Sequence, residues 1–212
     1  MAVFITLILW FDNAQGITSN GVFKAMTIKG WVADPANASL DTSNYLYYPV
    51  MALLCRLLDS VGVFAGDPRR QLTVINAFSA AICLCLVYLL VRRITGRRAV
   101  AWAAAAFHLS GAFFLNLAII NEDIMPSYTL MFASMALASL WFTQPTWRRV
   151  VLVAALFTIA WMFEWRLMFP TLPAMLVALA VGPGRPAARL GRVALFLATM
   201  VALAQVAVWL WG

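Results

Sequence analysis

The chain has 212 residues, of which 64% are hydrophobic and 11% are charged, and its formal net charge is +7 at pH 7. Ordinary soluble domains carry roughly 25% charged residues, so this composition excludes a soluble fold. A membrane-spanning helix needs about 20 apolar residues, which leaves room for about six or seven spans and one sizeable loop. Because most of the positive charge lies in short turns between apolar runs, it indicates membrane topology, and we expect no nucleic-acid partner.

The chain opens with an apolar run, residues 2–11, which we interpret as a truncated or tilted first span. This run is shorter than a hydrocarbon core of about 30 Å requires. A signal peptide is disfavoured because no charge precedes the run and no A-x-A site follows it. Residues 12–45 are the long polar stretch of the sequence. We expect them to form an extramembrane loop in which function concentrates.

Residues 45–64 are apolar but carry Arg56 and Asp59, three positions apart. On a helix these two side chains share one face. That pattern is typical of an amphipathic helix lying at the membrane interface rather than of a lipid-facing span. The predicted loop therefore runs over residues 12–71 and includes this helix.

Further apolar runs predict the remaining spans. They cover residues 72–91, 99–120, 124–142, 150–163, 167–181 and 193–211. The two shorter runs flank Glu164 and Arg166, and we expect them to be tilted or joined by a tight turn. The predicted fold class is all-α: a polytopic helical membrane protein of about seven transmembrane helices. Residues 1–212 form a single membrane domain, with the transmembrane helix bundle over residues 72–211.

Arginine is concentrated in three alternate turns between these spans, where no acidic residue occurs. Positive residues remain on the cytoplasmic side, so we expect these turns in the cytoplasm and the loop outside. Abundant Ala and Arg with few Lys is typical of a high-GC bacterial genome, which suggests a bacterial cytoplasmic membrane. The arginines concerned are Arg92, Arg93, Arg97, Arg98, Arg148, Arg149, Arg185, Arg189 and Arg192.

Two other arginines, Arg69 and Arg70, contradict this orientation because they precede a span on its outer side. One interpretation is that they bind an anionic ligand. The other is that they belong to a solvated helix N-terminus that begins after Asp67 and Pro68. The sequence leaves both open.

Acidic residues lie next to two outer span ends. Asp12 follows the first apolar run, where partial burial raises a carboxyl pKa and suits a general base, although a solvated or helix-capping Asp explains it equally well. Glu122 and Asp123 either cap the helix that follows them or converge with Asp12 on one cavity. Such a cavity would bind sugar hydroxyls, a divalent metal or a leaving group.

A tyrosine cluster introduces a family resemblance. The segments SNYLYYPVMALLCRLL and GDPRRQLTVINAFSAAICLCLVYLLVRRITGRRAVAWAAAAF resemble the GT-C membrane glycosyltransferases, in particular PMT-like and aminoarabinose-transferase-like members of the glycosyltransferase family 39 type. The later segment AIINEDIMPSYTLMF is similar to the acidic segment before the family's fourth span. Family members have around a dozen spans, so the resemblance implies that this chain corresponds to their N-terminal membrane portion, to one half of a split gene, or to a reduced relative without catalysis.

The resemblance also implies roles for individual residues. Asp12 takes the place of the catalytic base, and Asp123 or Glu122 that of a second acid. The remaining candidates would contact the substrate. Two are tyrosines that line the loop helix, and three are arginines that would lie near the lipid phosphate. They are Tyr47, Tyr48, Arg69, Arg70 and Arg166.

The function implied is transfer of a sugar from a polyprenyl-phosphate donor to an acceptor at the outer membrane face. Its partners are membrane lipid and the lipid-linked sugar, and no cofactor is certain, with a divalent metal left open. The alternative is a non-catalytic integral membrane subunit that packs against a larger complex through small-residue faces. A lipid-linked-sugar transporter is disfavoured because no inverted repeat is apparent.

Overall fold

The computed structural model describes residues 19–34, 46–111, 114, 118 and 124–211, and over this part of the chain all regular secondary structure is helical. The all-α prediction is therefore confirmed. A 3-10 turn, Trp165–Leu167, joins two of the helices. The α-helices are α1 (Ser19–Ala33), α2 (Tyr47–Ser60), α3 (Pro68–Thr95), α4 (Arg98–Ser110), α5 (Ile124–Trp141), α6 (Trp147–Phe163), α7 (Met168–Val181) and α8 (Pro186–Trp211).

Three of these helices are long and apolar enough to cross a bilayer. They are α3, α5 and α8, and α7 is a shorter apolar helix. These helices confirm the prediction of a helical membrane protein. The expected number of about seven spans stays a prediction.

Helix α3 extends beyond the predicted span at both ends because of its caps. Asp67 Oδ1 accepts a hydrogen bond from the backbone N–H of Arg70 at 3.2 Å, and Pro68 occupies the first helical turn. Both are typical of a helix N-terminus. At the other end Gly96 adopts a left-handed conformation with φ 68°, and its N–H donates to the carbonyl of Arg92. The arginines at both ends thus belong to the helix.

Two predicted span boundaries need correction. The span predicted over residues 99–120 is not one continuous helix, because α4 ends at Ser110 and Gly111 has extended backbone. The span predicted over residues 193–211 already begins at Pro186, so the arginines placed in the preceding turn partly lie on α8. Within the stretch predicted as an extramembrane loop, Ser19–Ala33 form helix α1, and its place outside the membrane stays a prediction.

The tight turn predicted between the two short apolar runs is confirmed. Helix α6 ends at Phe163, Glu164 has extended backbone, and the 3-10 turn leads directly into α7. Glu164 and Arg166 are the only charged residues between Arg149 and Arg185, which explains why the sequence identified this turn well.

One end of the bundle, which we call the tyrosine end, combines the starts of α3 and α5 with the end of α6. The hydroxyl of Ser127 donates to the carbonyl of Ala160 at 2.7 Å, so the start of α5 lies against the end of α6. Leu72 near the start of α3 shares a buried cluster with Tyr47 and Phe163. Helices α1 and α2 pack onto this end.

The opposite end, which we call the arginine end, contains the α3–α4, α5–α6 and α7–α8 turns. These turns lie at one end because consecutive helices run antiparallel. For example, Tyr88 near the end of α3 contacts Trp102 near the start of α4, with ring centroids 4.9 Å apart. All nine arginines that the sequence placed in three alternate turns lie at this end, on the turns or the adjoining helix termini.

Candidate active site at the tyrosine end

Two tyrosines form the centre of the tyrosine end. The side chains of Tyr47 and Tyr48 are buried, and their rings meet edge to face with centroids 5.3 Å apart. The ring of Tyr47 also packs against Phe163, at 6.3 Å between centroids. Such edge-to-face pairs add about 0.5–1.5 kcal/mol to the burial of the rings. The predicted substrate-lining tyrosines thus also join α2 to the end of α6.

A buried lysine lies on the same tyrosine. Lys24 of α1 is 5% exposed, and its Nζ lies 5.3 Å from the centroid of the Tyr47 ring. A cation over an aromatic face is attracted by the ring quadrupole, the more strongly where water is excluded. A positive charge is therefore built into this end of the bundle.

Polar contacts to backbone carbonyls hold α2 in place. The backbone N–H of Leu46 donates to the carbonyl of Met162 at 3.2 Å. Nη2 of Arg56 donates to the carbonyl of Val32 at 2.7 Å, which satisfies an unpaired acceptor at the end of α1. Arg56 therefore caps a neighbouring helix, although the sequence grouped it with Asp59 on one polar face.

The α2–α3 loop is organised around Asp59. Its Oδ1 accepts hydrogen bonds from the backbone N–H of Gly66 at 2.9 Å and from Nε2 of Gln71 at 2.6 Å. Both hydrogen bonds stabilise the charged carboxylate and so hold the pKa of Asp59 below its usual range. The bond from Gly66 has the larger effect, and the bond from Gln71 adds to it. This loop positions the start of α3, where Arg69 and Arg70 lie.

An ion pair occupies the turn after α6. Glu164 is 2% exposed, and its Oε1 accepts from the backbone N–H of Arg166 and lies 3.2 Å from Nε of the same residue. The Arg166 side chain is 68% exposed. Its terminal Nη groups form no hydrogen bond or ion pair with another residue in the described part of the chain. A buried carboxylate thus fixes the inner edge of a guanidinium and leaves the outer edge available for an anion.

The two arginines before the first long helix are arranged differently. Nε of Arg70 lies 3.4 Å from Asp67, and its guanidinium stacks on Phe64 with 5.6 Å to the ring centroid. Arg69 is half-buried and has contacts within the chain. Both arginines therefore lie in the first turn of α3, as one of the two interpretations of the sequence predicted. Binding of an anion by Arg69 or Arg70 stays a prediction.

The predicted acids Asp12, Glu122 and Asp123 lie outside the described residues. Over the part that is described, no group of three or more His, Cys, Asp or Glu side chains could hold a metal ion. These three carboxylates are the donors that the sequence offers for a divalent metal, since hard cations prefer carboxylate oxygens. Their role stays a prediction.

Sequence reasoning did not select three residues that the structure brings to this end. Lys24 and Gln71 are buried, and Glu164 was noted only as part of a short polar interruption. A signal existed for two of them: lysine is rare in this chain, and Glu164 is an acid between two apolar runs. A charged residue that a membrane protein buries usually has a partner and a function.

Residues 48–211 match the family of dolichyl-phosphate-mannose-protein mannosyltransferases. The chain belongs to this family. The match begins at the second tyrosine of the pair and extends through α8, so it covers the bundle and nearly all of α2, whereas α1 and Tyr47 precede it. It confirms the resemblance to GT-C membrane glycosyltransferases. No curated protein and no solved structure matches this mannosyltransferase-family chain.

Proposed function

We propose that the chain transfers a sugar from a polyprenyl-phosphate donor to an acceptor hydroxyl, and that the tyrosine end holds the reacting groups. Membership of the mannosyltransferase family supports the reaction class. The observation that supports the site is the Glu164–Arg166 pair, which holds a guanidinium in the turn directly after Phe163, whose ring packs against Tyr47.

Arg166 binds the donor phosphate in this proposal. A guanidinium offers several N–H donors in one plane and pairs with two phosphate oxygens at once. Because Nε is already held by Glu164, less conformational freedom is lost on binding than for a free side chain. Arg69 and Arg70 add positive charge nearby, and the phosphate charge that grows as the sugar departs is stabilised by all three.

Asp12 acts as the general base, as the family resemblance implies. The acceptor oxygen attacks C1 of the sugar, and the bond between C1 and the phosphate oxygen breaks. The acceptor proton passes to the carboxylate of Asp12, and the lipid phosphate leaves with the bonding electron pair. Asp123 or Glu122 provides the second acid of the site.

The tyrosine end faces the extracytoplasmic side in this proposal. The arginine end carries nine arginines, and its turns contain no acid, so the positive-inside tendency assigns it to the cytoplasm. A lipid-linked donor supplies an activated sugar on the opposite side, where a site at the membrane boundary is poor in competing water.

An Asp12→Asn variant tests the assigned base. We expect transfer of radiolabelled sugar from a polyprenyl-phosphate donor to fall by at least about 100-fold, because general base catalysis contributes roughly 10²–10⁴-fold. Membrane insertion should remain at the wild-type level. The assay uses the full chain in proteoliposomes.

Asp34→Asn is the matched control, because it makes the same carboxylate-to-amide change at an exposed residue after α1 that has no role in the proposed chemistry. It should retain wild-type transfer. Wild-type turnover by Asp12→Asn would remove the assigned base. If Asp12→Ala and Asp123→Ala both lack any effect and the chain purifies only with a partner, the chain is a non-catalytic subunit.

A further inference from the structure

An apolar groove lies at the arginine end, far from the tyrosines. Its volume is about 380 Å³, and it runs between the C-terminal halves of α5 and α7. This volume falls within the roughly 300–1,000 Å³ that is usual for ligand sites. Its walls are mostly methyl, thioether and ring carbon atoms, from residues that include Met135, Ala138, Phe142, Ala174, Met175 and Ala178.

Each of the two turns at the end of this groove is held by an arginine. Nη1 of Arg149 donates to the carbonyl of Gln144 at 2.8 Å in the turn after α5. Nε of Arg189 donates to the carbonyl of Gly184 at 2.9 Å in the turn after α7. The guanidinium of Arg149 also lies over the ring of Trp141, 5.9 Å from its centroid. Each of the two guanidinium groups therefore keeps N–H groups that make no hydrogen bond to another described residue.

A third arginine adds buried positive charge behind the same turn. Arg192 is 6% exposed, and its Nη2 donates to the carbonyl of Pro183, whose side chain lines the groove. Its Nη1 is buried and has no hydrogen-bond partner among the residues that the structure describes. A buried cation that lacks a counter-charge strengthens the attraction of this end for an anion.

We propose that the groove binds an anionic phospholipid. One acyl chain lies along the apolar wall, and the phosphodiester lies between Arg149 and Arg189. The apolar wall is suited to a lipid tail, and the two guanidinium groups are suited to a phosphate. Basic pockets between transmembrane helices bind anionic headgroups for the same reason. This site is separate from the proposed transfer reaction and does not depend on it.

The test measures lipid retention by native mass spectrometry on the purified full chain. The probes are dioleoyl-phosphatidylglycerol, dioleoyl-phosphatidylcholine and free glycerol phosphate. We expect phosphatidylglycerol to bind at least about tenfold more tightly than phosphatidylcholine, which corresponds to about 1.4 kcal/mol. Glycerol phosphate should not bind at the same concentration.

Two variants separate the headgroup from the tail. Arg149→Gln combined with Arg189→Gln should remove the preference for phosphatidylglycerol. Ala174→Phe, at an exposed position on the groove wall, should weaken retention of both lipids about tenfold while all charges remain. Arg97→Gln is the matched control, because it removes one exposed positive charge at the α3–α4 turn, which does not line the groove.

Helical content by circular dichroism establishes that each variant is folded before binding is compared. Equal retention of the two lipids by the wild-type chain would overturn the proposal. So would an equal loss of preference in Arg97→Gln, which would indicate a diffuse charge effect. Binding of glycerol phosphate as tight as that of phosphatidylglycerol would exclude the groove as part of the site.

Discussion

Glu164 shows how one side chain prepares a site. Removing a carboxylate from water costs several kcal/mol of free energy unless the group is hydrogen-bonded and paired. Glu164 has both kinds of partner in Arg166, whose backbone N–H and Nε each contact the same carboxylate oxygen. The result is an exposed guanidinium that is held through its Nε, in the turn that follows Phe163.

Arg166→Gln should raise the KM for the lipid-linked donor by about 10–100-fold. Hydrogen bonds to charged groups contribute about 1.5–3 kcal/mol, and each 1.4 kcal/mol is a factor of ten. Steady-state transfer kinetics at varied donor concentration measure this change. Arg98→Gln, which removes an exposed charge at the arginine end, is the control. An unchanged donor KM in Arg166→Gln would exclude Arg166 as a phosphate ligand.

Asp59 makes the stability of the α2–α3 loop depend on pH. Its pKa is lower in the folded chain than the usual value of about 3.9, because Gly66 and Gln71 donate hydrogen bonds to the charged form. The stabilisation is therefore fully present above the usual pKa and is lost as the pH falls through the lower folded value.

Asp59→Asn should accordingly have a lower Tm than the wild type at pH 7, and the difference should shrink as the pH falls below about 4. Tryptophan fluorescence during heating in detergent, at stepped pH, measures it. A difference that stays constant down to about pH 2 would show that the charge of Asp59 does not stabilise the loop.

At the scale of helices and turns, the caps determine where each helix begins and ends. Apolar runs located α3 and α5, but Asp67 and Gly96 extend α3 to its full length. Helix α4 shows the opposite case, since the apolar pattern continues past Ser110 while the backbone of Gly111 is extended. Hydrophobic periodicity predicts which residues face lipid or core. It does not reveal where one residue, such as Gly111, leaves the helical conformation.

Gly96→Ala should destabilise the chain by about 1–2 kcal/mol. The residue has φ 68°, where a side-chain Cβ is too close to the backbone. Gly30→Ala is the matched control, because Gly30 lies within α1 and a Cβ there meets no atom within 4 Å.

The Gly30→Ala control should stabilise the chain slightly or leave it unchanged, since alanine favours helix. Thermal unfolding of both variants in the same detergent checks the pair. Equal effects of the two substitutions would contradict the left-handed cap at Gly96.

At the scale of the whole molecule, two chemically different ends face opposite sides of the bundle. The tyrosine end contains the described acids Asp34, Asp59, Asp67 and Glu164 together with the aromatic cluster. The arginine end contains turns that carry positive charge only. This separation is what allows the proposed transfer chemistry and the proposed lipid site to coexist in a small helical bundle.

Labelling of single cysteines should show the two ends on opposite sides of the membrane. The native Cys55, Cys83 and Cys85 are first replaced by alanine, although burial and the charge of Asp59 already raise the pKa of Cys55 to about 12 and make that thiol unreactive. Ser60→Cys at the tyrosine end should react with an impermeant maleimide in intact cells.

Ala187→Cys at the arginine end should react only after the cells are permeabilised. Both positions are exposed, so access is decided by the side of the membrane and not by burial. The reverse pattern would overturn the proposed orientation. Labelling of both from the same side would contradict the bundle itself.

The family and the fold class were accessible from local patterns. Apolar runs of span length specify helices in any arrangement, and the segment that begins at Tyr48 carries the family's motifs. Glu164 and Arg166 predicted a tight turn because no other charged residue occurs between Arg149 and Arg185. Each of these inferences needs only neighbouring residues, which is why the sequence by itself determined them.

The tertiary structure decided which distant residues meet. Lys24 lies over Tyr47, the hydroxyl of Ser127 binds the carbonyl of Ala160, and a groove opens between α5 and α7. These contacts join residues that are well separated along the chain, and they depend on how the helices pack after they have formed. Packing is set by the combined shape of many side chains, so no local pattern in the sequence encodes it.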